Sequence, residues 1–237
     1  MKINKVVYLA SIIFIAFSFT PTLAQKPDSS VWNALLQENV SEEGMVSYKS
    51  FNSEELDLYL KELKKYPPKD SWSKKEKLSY WINAYNAFTI KLILDNYPLK
   101  SIKDIKDPWD KQFIEIDRER FSLNHIEHEI LRKMDEPRIH FAINCASISC
   151  PKLLNQAFIP SKLDEQLETV TREFINDTAK NELSHEKIEI SALFKWFRED
   201  FEKKQTLIGF LNKYSKVTID KNAEITYKPY NWNLNGK

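Results

Sequence analysis

The sequence predicts an α+β domain in which an antiparallel sheet packs on a buried central helix, with further helices flanking both. Three observations predict it. Residues 74–96 carry apolar side chains almost all round, which marks a helix enclosed by the fold. Short extended runs at 113–122, 138–144, 187–190 and 225–230 are scattered among helical stretches without regular alternation. Only three glycines occur in 237 residues, which argues against a phosphate-cradling loop and against a dinucleotide-binding fingerprint.

Taken in order, residues 1–24 read as an export signal. Lys2 and Lys5 precede an apolar run at 6–19, and Thr22-Leu23-Ala24 places small residues before a cleavage site at Gln25. The run is too short to span a bilayer, which needs about 20 apolar residues. The mature chain is therefore expected in the periplasm or outside the cell, with no membrane span. Residues 25–30 form a short polar leader and 31–237 one globular domain. Six Trp, ten Tyr and fourteen Phe supply its core. The net charge moves from +1 to −1 once Lys2 and Lys5 leave, so no electrostatic case for nucleic acid exists.

Residues 31–40 show a short helical pattern, and 42–48 a turn into an extended piece. Asn52 with Glu55 opens a second helix with Leu56, Leu60 and Leu63 as its stripe, ended by Pro67-Pro68. Ser73 and Glu76 form a capping box for the central helix, and Tyr97-Pro98 closes it. Asn83 and Asn86 fall inside that helix on one face. Buried amides need partners or cost about 1–3 kcal/mol each, so these two either build a structural network or hold a catalytic group or substrate.

Residues 113–122 read as a hairpin around Asp117-Arg118. Asn124 with Glu127 gives another capping box. Glu127 also lies within the stripe of Leu123, Ile126, Ile130, Leu131 and Met134. A carboxylate on a core face must be paired or carry a raised pKa. His128 and Arg132 sit one turn apart on the neighbouring face. A strand is expected over 138–144, with Ile139, Phe141 and Ile143 on one face and His140, Ala142 and Asn144 on the other. It runs into a small-residue turn holding both cysteines, Cys145 and Cys150, before Pro151. Beyond it come a helix opened by Ser161 and Asp164 and a strand at 187–190. An aromatic helix capped by Ser191, a helix at 207–214 and two extended pieces at 217–219 and 225–230 complete the chain.

Several of these segments carry a resemblance. Y-W-I-N-A-Y-N-A-F-T-I at 80–90, F-S-L-N-H-I-E-H-E-I-L-R at 121–132 and R-I-H-F-A-I-N-C-A-S-I-S-C-P-K-L at 138–153 are similar to the bacterial family called domain of unknown function family 547. S-A-L-F-K-W-F-R-E-D-F at 191–201 and Y-K-P-Y-N-W-N-L-N at 227–235 extend the likeness over most of the mature chain. It implies membership and no activity. A looser likeness joins the chain to papain-like and transglutaminase-like folds, which pack a buried helix on an antiparallel sheet bearing a His. The chain departs from them because no Cys opens the 74–96 helix, where Asn83 stands near the nucleophile's place. Any reactive thiol must then be Cys145 or Cys150.

The residue types support a thiol hydrolase or acyl transferase acting on a cell-envelope or extracellular peptide or amide. Cys145 or Cys150 would attack, with Cys145 the first choice, His140 would serve as base, and Glu127 or an Asn would orient the imidazole. Asn83, Asn86, His128, Asn144, Ser147, Ser149 and Cys150 would line the site, and amides of the turn would receive the oxyanion. The alternative is a non-enzymatic binding module in which a Cys145–Cys150 disulfide shapes a recognition turn. A zinc site using His140, Cys145, Cys150 and His128 ranks below both, because H-x4-C-x4-C is not a standard ligand spacing. No metal or cofactor is expected, and the partner is a small-molecule or peptide ligand.

Overall fold

A computed structural model describes residues 25–236. The expected export signal, residues 1–24, lies outside the described residues. Among these, no helix is long and apolar enough to cross a membrane.

Helix α1 (Ser30–Asn39) packs on α2 (Ser53–Lys65) through Trp32 stacked on Tyr59 at 5.6 Å. The Asn52 side chain caps α2 by accepting from the Glu54 and Glu55 amides. Helix α3 (Lys74–Leu94) is the central element, and every residue from Leu78 to Ile90 is buried. Its N-terminus is fixed by the reciprocal Ser73–Glu76 capping box that the sequence predicts. Strands β1 (Ile114–Ile116) and β2 (Glu119–Phe121) form the expected hairpin. Asp117 and Arg118 both take positive φ, 52° and 67°, as a two-residue hairpin turn with matching twist requires. The hairpin closes over α3 through Trp81 against Phe121 at 5.6 Å and Phe88 against Phe113 at 6.2 Å.

The second half is built around Phe141. It meets Phe174 of α4 (Leu163–Asn176) at 5.2 Å and Phe210 of α7 (Leu207–Tyr214) at 6.2 Å. Between them lie β3 (Glu182–Leu183), β4 (Lys187–Ser191), α5 (Leu193–Trp196) and α6 (Arg198–Glu202), and β5 (Glu224–Lys228) follows α7.

The architecture is α+β, with two departures from expectation. The sheet is split. The β1–β2 hairpin covers α3, while β3–β4–β5 form a separate mixed sheet with β4 and β5 parallel. Helices α5 to α7 supply the crossover that a parallel pair needs. The strand expected at 138–144 is instead a 3-10 helix, Pro137–Phe141. Pro137 occupies the first helical turn, where its missing N–H is harmless, and the Glu136 side chain accepts from the Arg138 amide. Residues 139–144 are all buried, so the alternation there has no solvent face to report.

Candidate active site

Several segments converge on one pocket of about 170 Å³, lined by Tyr85, Glu127, His140, Cys145, Tyr230 and neighbouring aromatic residues.

Glu127 comes from a short π-helix, His125–Leu131. The expected Asn124 cap does not form, since the Asn124 side chain donates to Asp110. Ser122 takes the role two residues earlier, its Oγ accepting from the His125 amide at 3.1 Å. Wide turns of this kind recur at functional sites, and here the turn holds Glu127 inward, 8 % exposed. Among the described residues its side chain has one hydrogen bond, donated by the Tyr85 hydroxyl at 3.2 Å. Burial, reinforced by the neighbouring Cys145, pushes its pKa up to about 7.

His140 is held by Asp200, not by Glu127 as expected. Its Nε2 lies 2.8 Å from Asp200 Oδ2, its ring stacks on Phe197 at 4.0 Å, and its Nδ1 is buried without a partner. Burial lowers the imidazole pKa despite the carboxylate. Burial alone would raise Asp200, but hydrogen bonds from His140 and Arg132 outweigh it and hold that carboxyl well below its usual range. The consistent assignment is a neutral imidazole donating from Nε2–H to an ionised Asp200, with the Nδ1 lone pair free. Arg132 reaches Asp200 with Nε at 2.6 Å and Nη2 at 3.2 Å. Its Nη1 donates to His128 Nδ1 at 2.8 Å, and burial and this guanidinium lower the pKa of His128.

Both cysteines are free thiols, with their sulfurs 2.9 Å apart. Cys145 Sγ also lies 3.2 Å from Ser147 Oγ and 3.3 Å from the Tyr230 hydroxyl. Hydrogen bonds from Cys150, Ser147 and Tyr230 favour the Cys145 thiolate against burial and bring its pKa to about 7. Burial and that same thiolate push Cys150 up. Cys145 is therefore the sulfur that ionises first.

The turn itself is latched. Asn144 Nδ2 donates to Pro151 O at 2.7 Å and its Oδ1 accepts from the Ala146 amide at 2.8 Å, with Ala146 at φ 58°. The Cys145 amide points at Cys150 Sγ, and the Ile148 and Ser149 amides donate to Asn233 O and Asn231 O. With the Cys150 amide bonded to Ser147 O, these amides are already engaged, which narrows the expected oxyanion site. The hydroxyls of Ser147 and Tyr230, 3.1 Å apart beside Cys145, are the donors present there. Ser149 Oγ accepts from the Asn231 amide and serves the turn.

Asn83 and Asn86 stand outside the pocket. Asn83 brackets Phe158, donating to its O at 2.8 Å and accepting from its N at 2.9 Å. Asn86 donates to Ala142 O at 2.9 Å and accepts from Asn144 N at 2.8 Å. Among the described residues, no cluster of three or more His, Cys, Asp or Glu side chains could hold a metal ion.

Asp200, Tyr230, Trp196 and Trp232 were not candidates from sequence, though a signal existed for each. Asp200 follows Phe197 by three residues on the buried side of an aromatic helical pattern. Y-N-W at 230–232 is an aromatic pair in an otherwise polar tail.

Residues 69–175 match the family model described as "Protein of unknown function, DUF547". No curated protein and no solved structure matches. The matched span includes Tyr85, Glu127, His140 and both cysteines, while Asp200, Tyr230 and Trp232 lie beyond it.

Proposed function

From the premise that residues 69–175 of this chain match the DUF547 family model, a match that brings no activity with it, we propose that the protein is a thiol-dependent hydrolase or acyl transferase. The substrate is a peptide or amide of the exported compartment that residues 1–24 point to. The observation that carries the reading is that one pocket is lined by Cys145, Glu127 and His140. That places a thiol with a pKa near neutrality, a carboxyl of matched pKa and a neutral imidazole around one space.

The Cys145 thiolate attacks the carbonyl carbon, and the developing oxyanion takes hydrogen bonds from the Tyr230 and Ser147 hydroxyls. Collapse breaks the bond to the leaving amine, which takes a proton from Glu127, whose raised pKa keeps it partly protonated at pH 7. Water, deprotonated by Glu127 or His140 Nδ1, then cleaves the thioester, while an amine in its place gives transfer. Asp200 is a positioning residue, fixing the tautomer of His140.

Incubation of reduced protein with p-nitrophenyl esters and activated amides, followed by intact-mass analysis, tests this. One acyl group on Cys145, absent in Cys145→Ala, is the expected result. Acylation spread over surface lysines with none on Cys145 overturns it.

The 2.9 Å approach of the two sulfurs favours a second reading, a binding module whose turn is closed by a Cys145–Cys150 disulfide. A thiol count on natively purified protein separates the two, since the hydrolase needs Cys145 free.

A further inference from the structure

The aromatic residues around the pocket do more than fill space. Trp109, Trp196, Tyr230 and Trp232 form one aromatic wall of it, packed on one another with Trp196 to Tyr230 at 4.8 Å, Tyr230 to Trp232 at 4.5 Å, Trp196 to Trp232 at 5.9 Å and Trp109 to Trp232 at 5.4 Å. Trp196 is 48 % exposed, a large apolar surface to leave in water at the mouth of a cavity. At the inner end stand Tyr85 and the under-bonded Glu127. Cations of the protein itself already use these rings. Lys103 Nζ lies 5.1 Å from the Trp232 ring centre and the Arg132 guanidinium 5.3 Å from that of Phe197.

We propose that this pocket binds an organic cation, an alkylammonium head lying against the aromatic wall of Trp109, Trp196, Tyr230 and Trp232 and directed at the Glu127 carboxylate. Aromatic faces present negative potential, and a cation set against them is held without a full hydration shell. A buried carboxylate with a single hydrogen bond has acceptor positions to offer, and a cation in the pocket adds charge compensation to that of the nearby Arg132, which Asp200 holds. Lys103 over the Trp232 ring is an exposed side chain that a ligand can displace, and the other charged groups at the site are engaged or neutral. Arg132 is tied to Asp200, and burial keeps His128 and His140 toward the neutral form. The pocket volume of about 170 Å³ is that of roughly six liquid water molecules, room for a small ammonium head with the rest of the ligand outside. The inference rests on the reading above for what the ligand is, namely the leaving amine, which becomes an ammonium beside the Glu127 carboxylate once it has taken that carboxyl's proton. The binding itself requires no catalysis.

The test is a titration of tryptophan fluorescence in reduced protein with n-butylammonium and tetramethylammonium, against 1-butanol and tert-butanol as neutral counterparts. The expected result is saturable binding of a cation about tenfold tighter than its neutral counterpart. That preference should fall below about threefold in Glu127→Gln, and cation affinity should weaken in Trp196→Ala, which alters an exposed side chain and leaves the core intact. The two ammonium probes separate a primary from a quaternary head. Equal affinity for cation and alcohol, or no saturation by either cation, overturns the proposal. Repeating the titration in Cys145→Ala keeps the readings apart. Binding retained there without acyl transfer in the wild type sinks the hydrolase alone, and acylation without cation preference sinks the cation site alone.

Discussion

Two sets of buried polar groups lie beside helix α3, and they differ in how completely they are satisfied. Asn83 and Asn86 each make a donor and an acceptor bond to backbone, at 2.8 to 2.9 Å. Glu127 receives one bond at 3.2 Å, and His140 Nδ1 receives none. Buried polar groups in folded proteins are almost always paired. The amides obey that rule and pin the segments at Ala142 to Asn144 and at Phe158 to the central helix. The pocket groups leave capacity open, which makes sense where a ligand is to complete the bonding. The amides stabilise the fold, and the pocket carries a stability penalty of the kind that the proposed chemistry would use.

The largest effect should come from the satisfied side. Asn86→Ala strands Ala142 O and Asn144 N without partners and should lose about 3 kcal/mol in urea unfolding. A loss under about 1 kcal/mol would remove the distinction between the two sets. Glu127→Gln should act in the opposite sense. The raised pKa means that the folded state holds the proton between the ordinary 4.5 and about 7. Stability therefore falls as pH rises through that window, by up to about 3 kcal/mol, and the penalty is fully present above it. Glutamine avoids the penalty, so the variant should gain about 2 kcal/mol at pH 8 and nothing near pH 4. Unfolding curves at the two pH values read this directly.

The thiols sharpen the comparison further. Iodoacetamide should alkylate Cys145 before Cys150, at a rate that rises through pH 7. In Cys150→Ala, which removes the first cause of the lowered pKa, the rate at pH 7 should drop about fivefold. Trp196→Ala should change stability by less than about 0.5 kcal/mol, because the side chain is half exposed. A larger loss would make the outer aromatic ring part of the core.

How much of this was legible depended on whether the signal was local. The central helix announced itself through its all-round apolar surface and the Ser73–Glu76 box. The hairpin showed in Asp117-Arg118, and Glu127 stood out as a charge in an apolar stripe. What misled was period-two alternation at 138–144, where every residue from 139 to 144 is buried and Pro137 starts a helical turn instead. The Asn124 box failed because Ser122 offered the His125 amide an earlier cap. The partner of His140 was out of reach, since Asp200 lies 60 positions away and only tertiary packing of Phe197 and Phe201 on the imidazole brings it there.

The turn that carries the thiols is framed by residues 231–235, through Ile148 N to Asn233 O, Asn235 N to Ala146 O and Asn231 N to Ser149 Oγ, a contact spanning 82 positions. A chain made from its N-terminus thus delivers both sulfurs well before the segment that shapes them. At about 5–20 residues per second the interval is about 4 to 16 s. Throughout it the turn lacks the hydrogen bonds that residues 231–235 supply. The thiol geometry is therefore a property of the completed chain and not of the segment that carries the cysteines.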